Sequence, residues 1–155
     1  MPTRKIVTID EGNSVLTTRA VEVDPGEFGT EALETLISDM ADTMTAAEGV
    51  GLAAPQVGVA KRIFVADTEA GPIALINPKF TKISRRTDKY EEGCLSIPGK
   101  FGIVRRSREV TVEALTADGE KITFTAKGFF ARVMQHELDH LDGILYIDRI
   151  KEQQG

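Results

Sequence analysis

Two histidines, four residues apart, carry most of the chemistry that this sequence could perform. The 155-residue chain contains only His136 and His140, and Glu137 follows the first of them directly. On a helix, residues i and i+4 share one face, so both imidazoles can reach a single metal ion. Glu137 lies about 100° around the helix from His136, where it can contact a metal-bound water. This H-E-x-x-H pattern is typical of metal-dependent hydrolases in which the glutamate is the general base. The alternative is two polar residues that share a helix stripe without a metal.

A third protein ligand is needed, because a catalytic site of this kind has three ligands and one open position for water. One group of H-E-x-x-H enzymes has a third histidine at the position where this chain has Tyr146. A carboxylate in residues 141–155 is a possible ligand, although that segment is short. The single cysteine, Cys94, is the remaining soft ligand. A lone cysteine is more often a small buried apolar residue, but the missing third ligand favours a Cys-His-His site.

Residues 49–58 form a segment of small residues with a single side-chain amide, that of Gln56. Small residues allow the backbone to run close to a ligand or another strand. The amide of Gln56 could donate a hydrogen bond to an oxyanion, or it could simply bond to the backbone in a tight connection. The segment lacks the lysine and hydroxyl residue that end a P-loop, so it does not predict phosphate binding.

Composition places the chain among single-domain, mildly acidic proteins. With 41% hydrophobic residues, 28% charged residues and a net charge of −5, we expect one domain over residues 1–155 with an apolar core. No basic stripe predicts nucleic-acid binding, and no apolar run approaches the roughly 20 residues that span a membrane. No apolar signal core follows Met1, and one cysteine cannot form an internal disulfide, so we expect a reducing, cytoplasmic location.

Periodicity predicts two helices and several short strands around these residues. Apolar residues recur at three- and four-residue steps in residues 29–49 and again in 128–143, as in amphipathic helices. Alternation predicts strands at 62–66, 73–76 and 80–83, the last two separated by Asn77 and Pro78, and a hairpin that turns at 117–119. The expected class is α+β, with short, largely antiparallel strands around a central metal-binding helix.

Three segments together resemble the signature motifs of the peptide deformylase family. They are GVGLAAPQ at 49–56, EGCLS at 92–96 and QHELDHLDG at 135–143, in that family's order and at similar spacing. The likeness extends from about Asn13 to Ile150. It implies a small α+β fold and a metallohydrolase that removes the N-formyl group from formylmethionyl peptides of nascent proteins, releasing formate.

The resemblance also implies a role for each matching residue. Cys94, His136 and His140 would be the metal ligands, and Glu137 the acid and base. Further expectations concern the substrate: Gln56 and the backbone N–H of Leu95 would bind the developing oxyanion, Gly51 would pair with substrate backbone, and Val50, Phe129, Val133 and the stem of Arg132 would line a methionine pocket. Glu92 and Arg106 would form a structural pair near the site.

Cofactor and partners follow from the same resemblance. Family members use Fe(II) and accept Ni(II), Co(II) or Zn(II), so Fe(II) is favoured. We expect the protein to lack the C-terminal helix of many bacterial members, so its association with the ribosome stays open. We also expect it to work in a bacterial cytoplasm, or in the host cytoplasm if it is a phage-encoded form. Thr45 and Phe101 stand where tyrosine and arginine are common in the family, so we expect different contacts to the distal peptide. An H-E-x-x-H endopeptidase and a catalytically silent binding module are the alternatives.

Overall fold

A computed structural model describes residues 2–11 and 14–154 of the chain. These residues form seven strands and three α-helices, which confirms the predicted α+β class. The strands are β1 (Gly51–Ala53), β2 (Ile63–Thr68), β3 (Gly71–Ile83), β4 (Thr87–Cys94), β5 (Ile97–Ser107), β6 (Glu109–Leu115) and β7 (Lys121–Lys127). The helices are α1 (Glu31–Ala46), α2 (Gly128–Leu141) and α3 (Tyr146–Gln154). No helix of the described part of the chain has both the length and the apolar character needed to cross a membrane.

The strands form two antiparallel sheets. Five strands pair in the order β1-β2-β3-β6-β7, and β4 pairs with β5 in a separate hairpin. Alternate residues of a strand point to opposite faces of its sheet. Accordingly Phe64 of β2 is buried in a core cluster that contains Met134 of α2, whereas Ile63 is buried in a second cluster that contains Met40 of α1. The large sheet therefore packs α1 on one face and α2 on the other.

Helix α1 begins two residues later than its predicted boundary. Its N-cap is Thr30, whose hydroxyl accepts a hydrogen bond from the backbone N–H of Leu33 at 3.3 Å. Threonine is a favoured N-cap because its side chain satisfies a backbone donor of the first turn. Phe28 and Leu33 occupy hydrophobic-staple positions if Gly29 is the cap, but Gly29 instead lies before the cap with a φ of +79°.

The two strands predicted around Asn77 and Pro78 are one strand, β3, and the predicted break is wrong. The pairing of β3 with β6 shifts register between Ile76 and Lys79, so the Asn-Pro pair is accommodated as an irregularity. The Asn77 side chain accepts from the N–H of Val23 at 2.8 Å and donates to its carbonyl at 3.0 Å. These two bonds support the positive φ of 51° at Asn77.

Glycines on either side of Cys94, at Gly93 and Gly99, predict turns there, and these turns are misplaced. Thr87–Cys94 and Ile97–Ser107 are extended strands, and the chain reverses between them at Leu95 and Ser96. Pro98 and Gly99 lie within β5 rather than at a turn. Cys94 therefore stands at the tip of a hairpin, where strand pairing fixes its backbone.

A short third helix follows the H-E-x-x-H helix. Tyr146–Gln154 form α3, and the Asp148 carboxylate accepts from the N–H of Leu145 at 2.9 Å, which satisfies a donor at the helix start. Tyr146 is buried, and Ile150 lies so close to Gly102 of β5 that an added Cβ there would be 2.3 Å from its Cδ1. Packing against β5 thus stabilises a segment too short to form a helix alone.

Candidate active site

Helix α2 carries several buried polar side chains. Glu137, Asp139 and His140 are each less than a tenth exposed. The chain leaves this helix at Gly143, whose φ is +76° and where an added Cβ would lie 2.8 Å from the carbonyl of Thr17. A glycine is therefore required at this position by both backbone conformation and close packing.

The predicted ligand residues come together from two elements. The ligand atoms of Cys94, His136 and His140 all lie within 4.8 Å of one another, and the Cys94 sulfur is 3.3 Å from His140 Nε2. Burial, together with the charges of His136 and Arg106, lowers the pKa of His140 well below its usual value. The neutral imidazole that results is the form that binds metals. One sulfur and two nitrogens are a donor set suited to Zn(II) or Fe(II).

The orientation of His136 is fixed by Glu92 of β4. His136 Nδ1 donates to Glu92 Oε1 at 2.9 Å, which leaves Nε2 for the ligand cluster. Glu92 in turn accepts from Arg106 at 2.9 and 3.0 Å and from Arg132 at 2.6 Å. Although burial opposes ionisation, hydrogen bonds from His136 and Arg106 hold the pKa of Glu92 well below its usual range. The expected structural pair of Glu92 and Arg106 is thus also an orienting group for His136.

Glu137 is the carboxylate beside the cluster whose pKa is raised. Burial raises its pKa from 4.5 to about 7, against an opposing effect of the His136 charge. Its Oε1 atom is buried and has no hydrogen-bond partner among the described residues. Gly51 makes room for it, because a Cβ at Gly51 would lie 2.5 Å from Glu137 Oε2. A carboxylate with a pKa near neutrality and a free oxygen is suited to take and return protons.

The amide of Gln56 is held rigidly at the edge of the same site. Its Oε1 accepts from the N–H of Ala53 at 2.9 Å, while Nε2 donates to Ser96 Oγ at 3.2 Å and lies 3.6 Å from the Cys94 sulfur. The donor face of the amide is therefore directed at the hairpin tip. Leu95, the next residue of that tip, packs its side chain against Gly49.

A cavity of about 480 Å³ opens onto this group. The predicted substrate residues share its lining: Val50, Gly51, Gln56, Leu95, Phe129, Arg132 and Val133, together with Cys94, His136 and Glu137. Val50 and Phe129 remain about half exposed, at 49% and 58%, so the apolar wall is accessible from outside. The guanidinium of Arg132 is occupied by Glu92 and by two carbonyl groups, which leaves its stem at the cavity.

Two features of the site escaped sequence reasoning. Tyr146 is buried, and its ring stacks on that of His136 with centroids 6.3 Å apart. Asp139, inside the H-E-x-x-H motif, accepts hydrogen bonds from Arg106 and from Arg149 of α3. The only signal in the sequence is a charged residue on an otherwise inward-facing stretch of helix, which does not identify its partners.

Comparison with known proteins places this arrangement in one family. The family model described as polypeptide deformylase matches residues 3–155. The peptide deformylase of Halothermothrix orenii is 49% identical over 152 residues, which cover 97% of this chain and 95% of that protein. A crystal structure of peptide deformylase from Thermotoga maritima has a TM-score of 0.90 at 42% identity and covers 96% of this chain and 98% of its own. The class I type b enzyme of Acinetobacter baumannii, solved with Met-Ala-Ser bound, has a TM-score of 0.88 at 34% identity, with 95% and 98% covered.

Sequence and fold agree with these relatives over nearly the whole chain. A family model that spans residues 3–155 and relatives near half identity are far more specific than an H-E-x-x-H motif alone. The chain belongs to the peptide deformylase family, metal-dependent hydrolases that remove the N-formyl group from nascent peptides.

Proposed function

We propose that Cys94, His136 and His140 hold one divalent metal ion at which this chain hydrolyses N-formylmethionyl peptides. The observation that carries the proposal is the convergence of the three ligand atoms within 4.8 Å of one another. Beside them is Glu137, a buried carboxylate one of whose oxygens has no hydrogen-bond partner in the described part of the chain. Three protein ligands with an adjacent base form the pattern of a catalytic rather than a structural site.

The metal, when bound, supplies Lewis-acid activation of water, whose pKa it can lower from 15.7 to about 7. We propose Fe(II) as the native ion, in keeping with the family, while thiolate and imidazole ligands also suit Zn(II). Ni(II) and Co(II) are expected to support activity as substitutes. Glu92 acts here by fixing the ring of His136, so that its Nε2 is presented to the ion.

Glu137 performs the proton transfers in this proposal. Its carboxylate takes a proton from the attacking water and then delivers it to the amine that leaves as the amide bond breaks. A pKa of about 7 suits both tasks, because the group can accept and release a proton near neutral pH. Gly51 supports this role by leaving the space that the carboxylate occupies.

Gln56 and the backbone N–H of Leu95 stabilise the oxygen of the formyl group as it acquires negative charge. The Gln56 amide can donate to that oxygen by giving up its long, 3.6 Å contact with the Cys94 sulfur. Its bonds to Ala53 and Ser96 hold it in place meanwhile. A donor fixed before the reaction needs no reorganisation when charge develops.

Substrate selection is proposed to depend on the apolar wall of the cavity. Val50, Phe129, Val133 and the stem of Arg132 offer a surface that fits an unbranched side chain such as methionine. The Met-Ala-Ser peptide bound to the Acinetobacter baumannii relative supports a linear peptide in this cavity. Phe101, 69% exposed at the cavity rim, offers an apolar contact to residues after the methionine.

The test is to measure formate release from formyl-Met-Ala-Ser, aerobically and anaerobically, with metal analysis of the same sample. We expect activity that follows metal content, is removed by chelation, and survives better without oxygen if iron is bound. Acetyl-Met-Ala-Ser and unformylated Met-Ala-Ser are matched controls, and cleavage of internal peptide bonds in them would favour the endopeptidase alternative. Full activity in a chelated sample without metal would contradict the proposal.

A further inference from the structure

Asp139 is held by two arginines from different elements. Arg106 of β5 donates to Asp139 Oδ2 at 2.6 Å. Arg149 of α3 donates to the same oxygen at 3.0 Å and to Oδ1 at 2.7 Å, a bidentate pair. The Asp139 side chain is 10% exposed. Because Arg149 is the described partner of Oδ1, that contact fixes the rotation of the carboxylate.

Arg106 links Asp139 to the proposed metal centre. Its guanidinium uses Nε and Nη2 on Glu92, at 2.9 and 3.0 Å, and Nη1 on Asp139. A guanidinium is a rigid planar fork, so two carboxylates on different edges fix its plane. Glu92 then accepts from His136 Nδ1 at 2.9 Å. A continuous set of charged hydrogen bonds therefore joins Arg149 to the ring of His136.

Packing keeps Arg149 in register for this contact. Tyr146, three residues before it on α3, stacks its buried ring on His136. Ile150, the next residue along α3, lies against Gly102 of β5. Anchors on both sides limit sliding of α3, so the Arg149 fork stays opposite Asp139.

We propose that Arg149 is a positioning residue for the metal centre, acting through Asp139, Arg106 and Glu92 on the ring of His136. Helix α3 is then part of the framework that sets active-site geometry, and not only a cover for β5. The inference rests on the proposed role of His136 as a ligand. A purely structural Arg149 would contribute to folding stability but would leave the metal environment unchanged.

The test compares Co(II)-substituted wild type with Arg149→Met and Arg149→Lys. The readouts are the visible absorption bands of Co(II), its dissociation constant in competition with a chelator, kcat and KM. Glu152→Gln removes the other described ion pair of Arg149, at 3.2 Å, and Lys151→Met removes an exposed charge from the same helix. These two variants are the matched controls.

For Arg149→Met we expect altered Co(II) bands and losses of about three- to tenfold in metal affinity and kcat, with KM unchanged. Direct outer-shell partners, such as Glu92 here, are typically worth about 10- to 100-fold, and Arg149 is three contacts further out, after Arg106 and Asp139. Arg149→Lys keeps the charge but cannot bond to both oxygens of Asp139. Its folding stability should therefore be closer to wild type than its Co(II) spectrum is. Both controls should match wild type.

The inference is overturned if both Arg149 variants keep the wild-type spectrum, affinity and kcat, whatever their melting temperatures. Because Arg149→Lys retains a charge for Asp139, it keeps the test valid if Arg149→Met does not fold. Failure of the proposed ligand set is seen separately, in wild type: Co(II) bound without a sulfur charge-transfer band would refute that set and this inference with it.

Discussion

Replacing Glu137 with glutamine should stabilise the metal-free protein while nearly abolishing turnover. The carboxylate is buried, one of its oxygens has no partner within residues 2–11 and 14–154, and burial raises its pKa from 4.5 to about 7. An ionised group in such a position opposes folding. The amide of Glu137→Gln has almost the same shape but no charge, so it removes this cost and the proton transfer together.

The magnitude and its pH dependence follow from the two pKa values. The carboxyl ionises near pH 4.5 in the unfolded chain and near pH 7 in the folded one, so between these values the folded state binds more protons. Stability therefore falls as pH rises from about 4.5 to about 7, and it stays reduced above that. A tenfold change in proton affinity is worth about 1.4 kcal/mol. At pH 8 the ionised Glu137 therefore lowers the free energy of unfolding by about 3 kcal/mol.

Urea unfolding in the presence of a chelator, at pH 4.5 and pH 8, measures this difference. Glu137→Gln should raise the free energy of unfolding above that of wild type, and this increase should be up to about 3 kcal/mol larger at pH 8 than at pH 4.5. Glu120→Gln, an exposed change in the turn between β6 and β7, should stay within about 0.5 kcal/mol of wild type. With metal restored, kcat should fall by about 10²–10⁴ at unchanged metal content. An equal stability difference at both pH values would refute the burial argument, and loss of metal would make Glu137 a ligand.

Three further results are expected. Gln56→Ala should lower kcat by about 10²–10³ with metal retained; a wild-type kcat would exclude Gln56 as an oxyanion donor. Gly51→Ala should also lower kcat, since its Cβ would lie 2.5 Å from Glu137 Oε2, and undiminished activity would show that the carboxylate can move freely. Formyl-norleucine peptides should have kcat/KM values close to those of formylmethionine peptides, whereas equal turnover of formyl-Asp peptides would contradict an apolar pocket.

Elements with strong local periodicity could be predicted from the sequence. Apolar spacing and a turn signal predict helix α2 and the β6–β7 hairpin at nearly their observed positions. The proposed ligand residues could also be selected from the sequence, since the chain has only two histidines and one cysteine. Their convergence within 4.8 Å depends on the hairpin tip meeting α2, which no local pattern encodes.

The remaining elements depend on long-range contacts. Strands β4 and β5 form a separate two-stranded sheet with many exposed positions, so the alternation that marks a half-buried strand is weak there. Helix α3 is stabilised by packing of Tyr146 and Ile150 rather than by its own sequence. The contact between Asp139 and Arg149 joins two helices through side chains alone, and charge along the sequence does not indicate which arginine meets which carboxylate.

Co(II) titration of wild type and Cys94→Ser is the most direct test of the proposed metal centre. A thiolate bound to Co(II) gives a sulfur-to-metal charge-transfer band, which a serine hydroxyl cannot produce. Wild type should bind one ion per chain and show this band, because the Cys94 sulfur lies beside His140 Nε2 at 3.3 Å. Cys94→Ser should lose the band and bind the ion more weakly. A variant that keeps the wild-type spectrum and affinity would contradict a Cys-His-His centre.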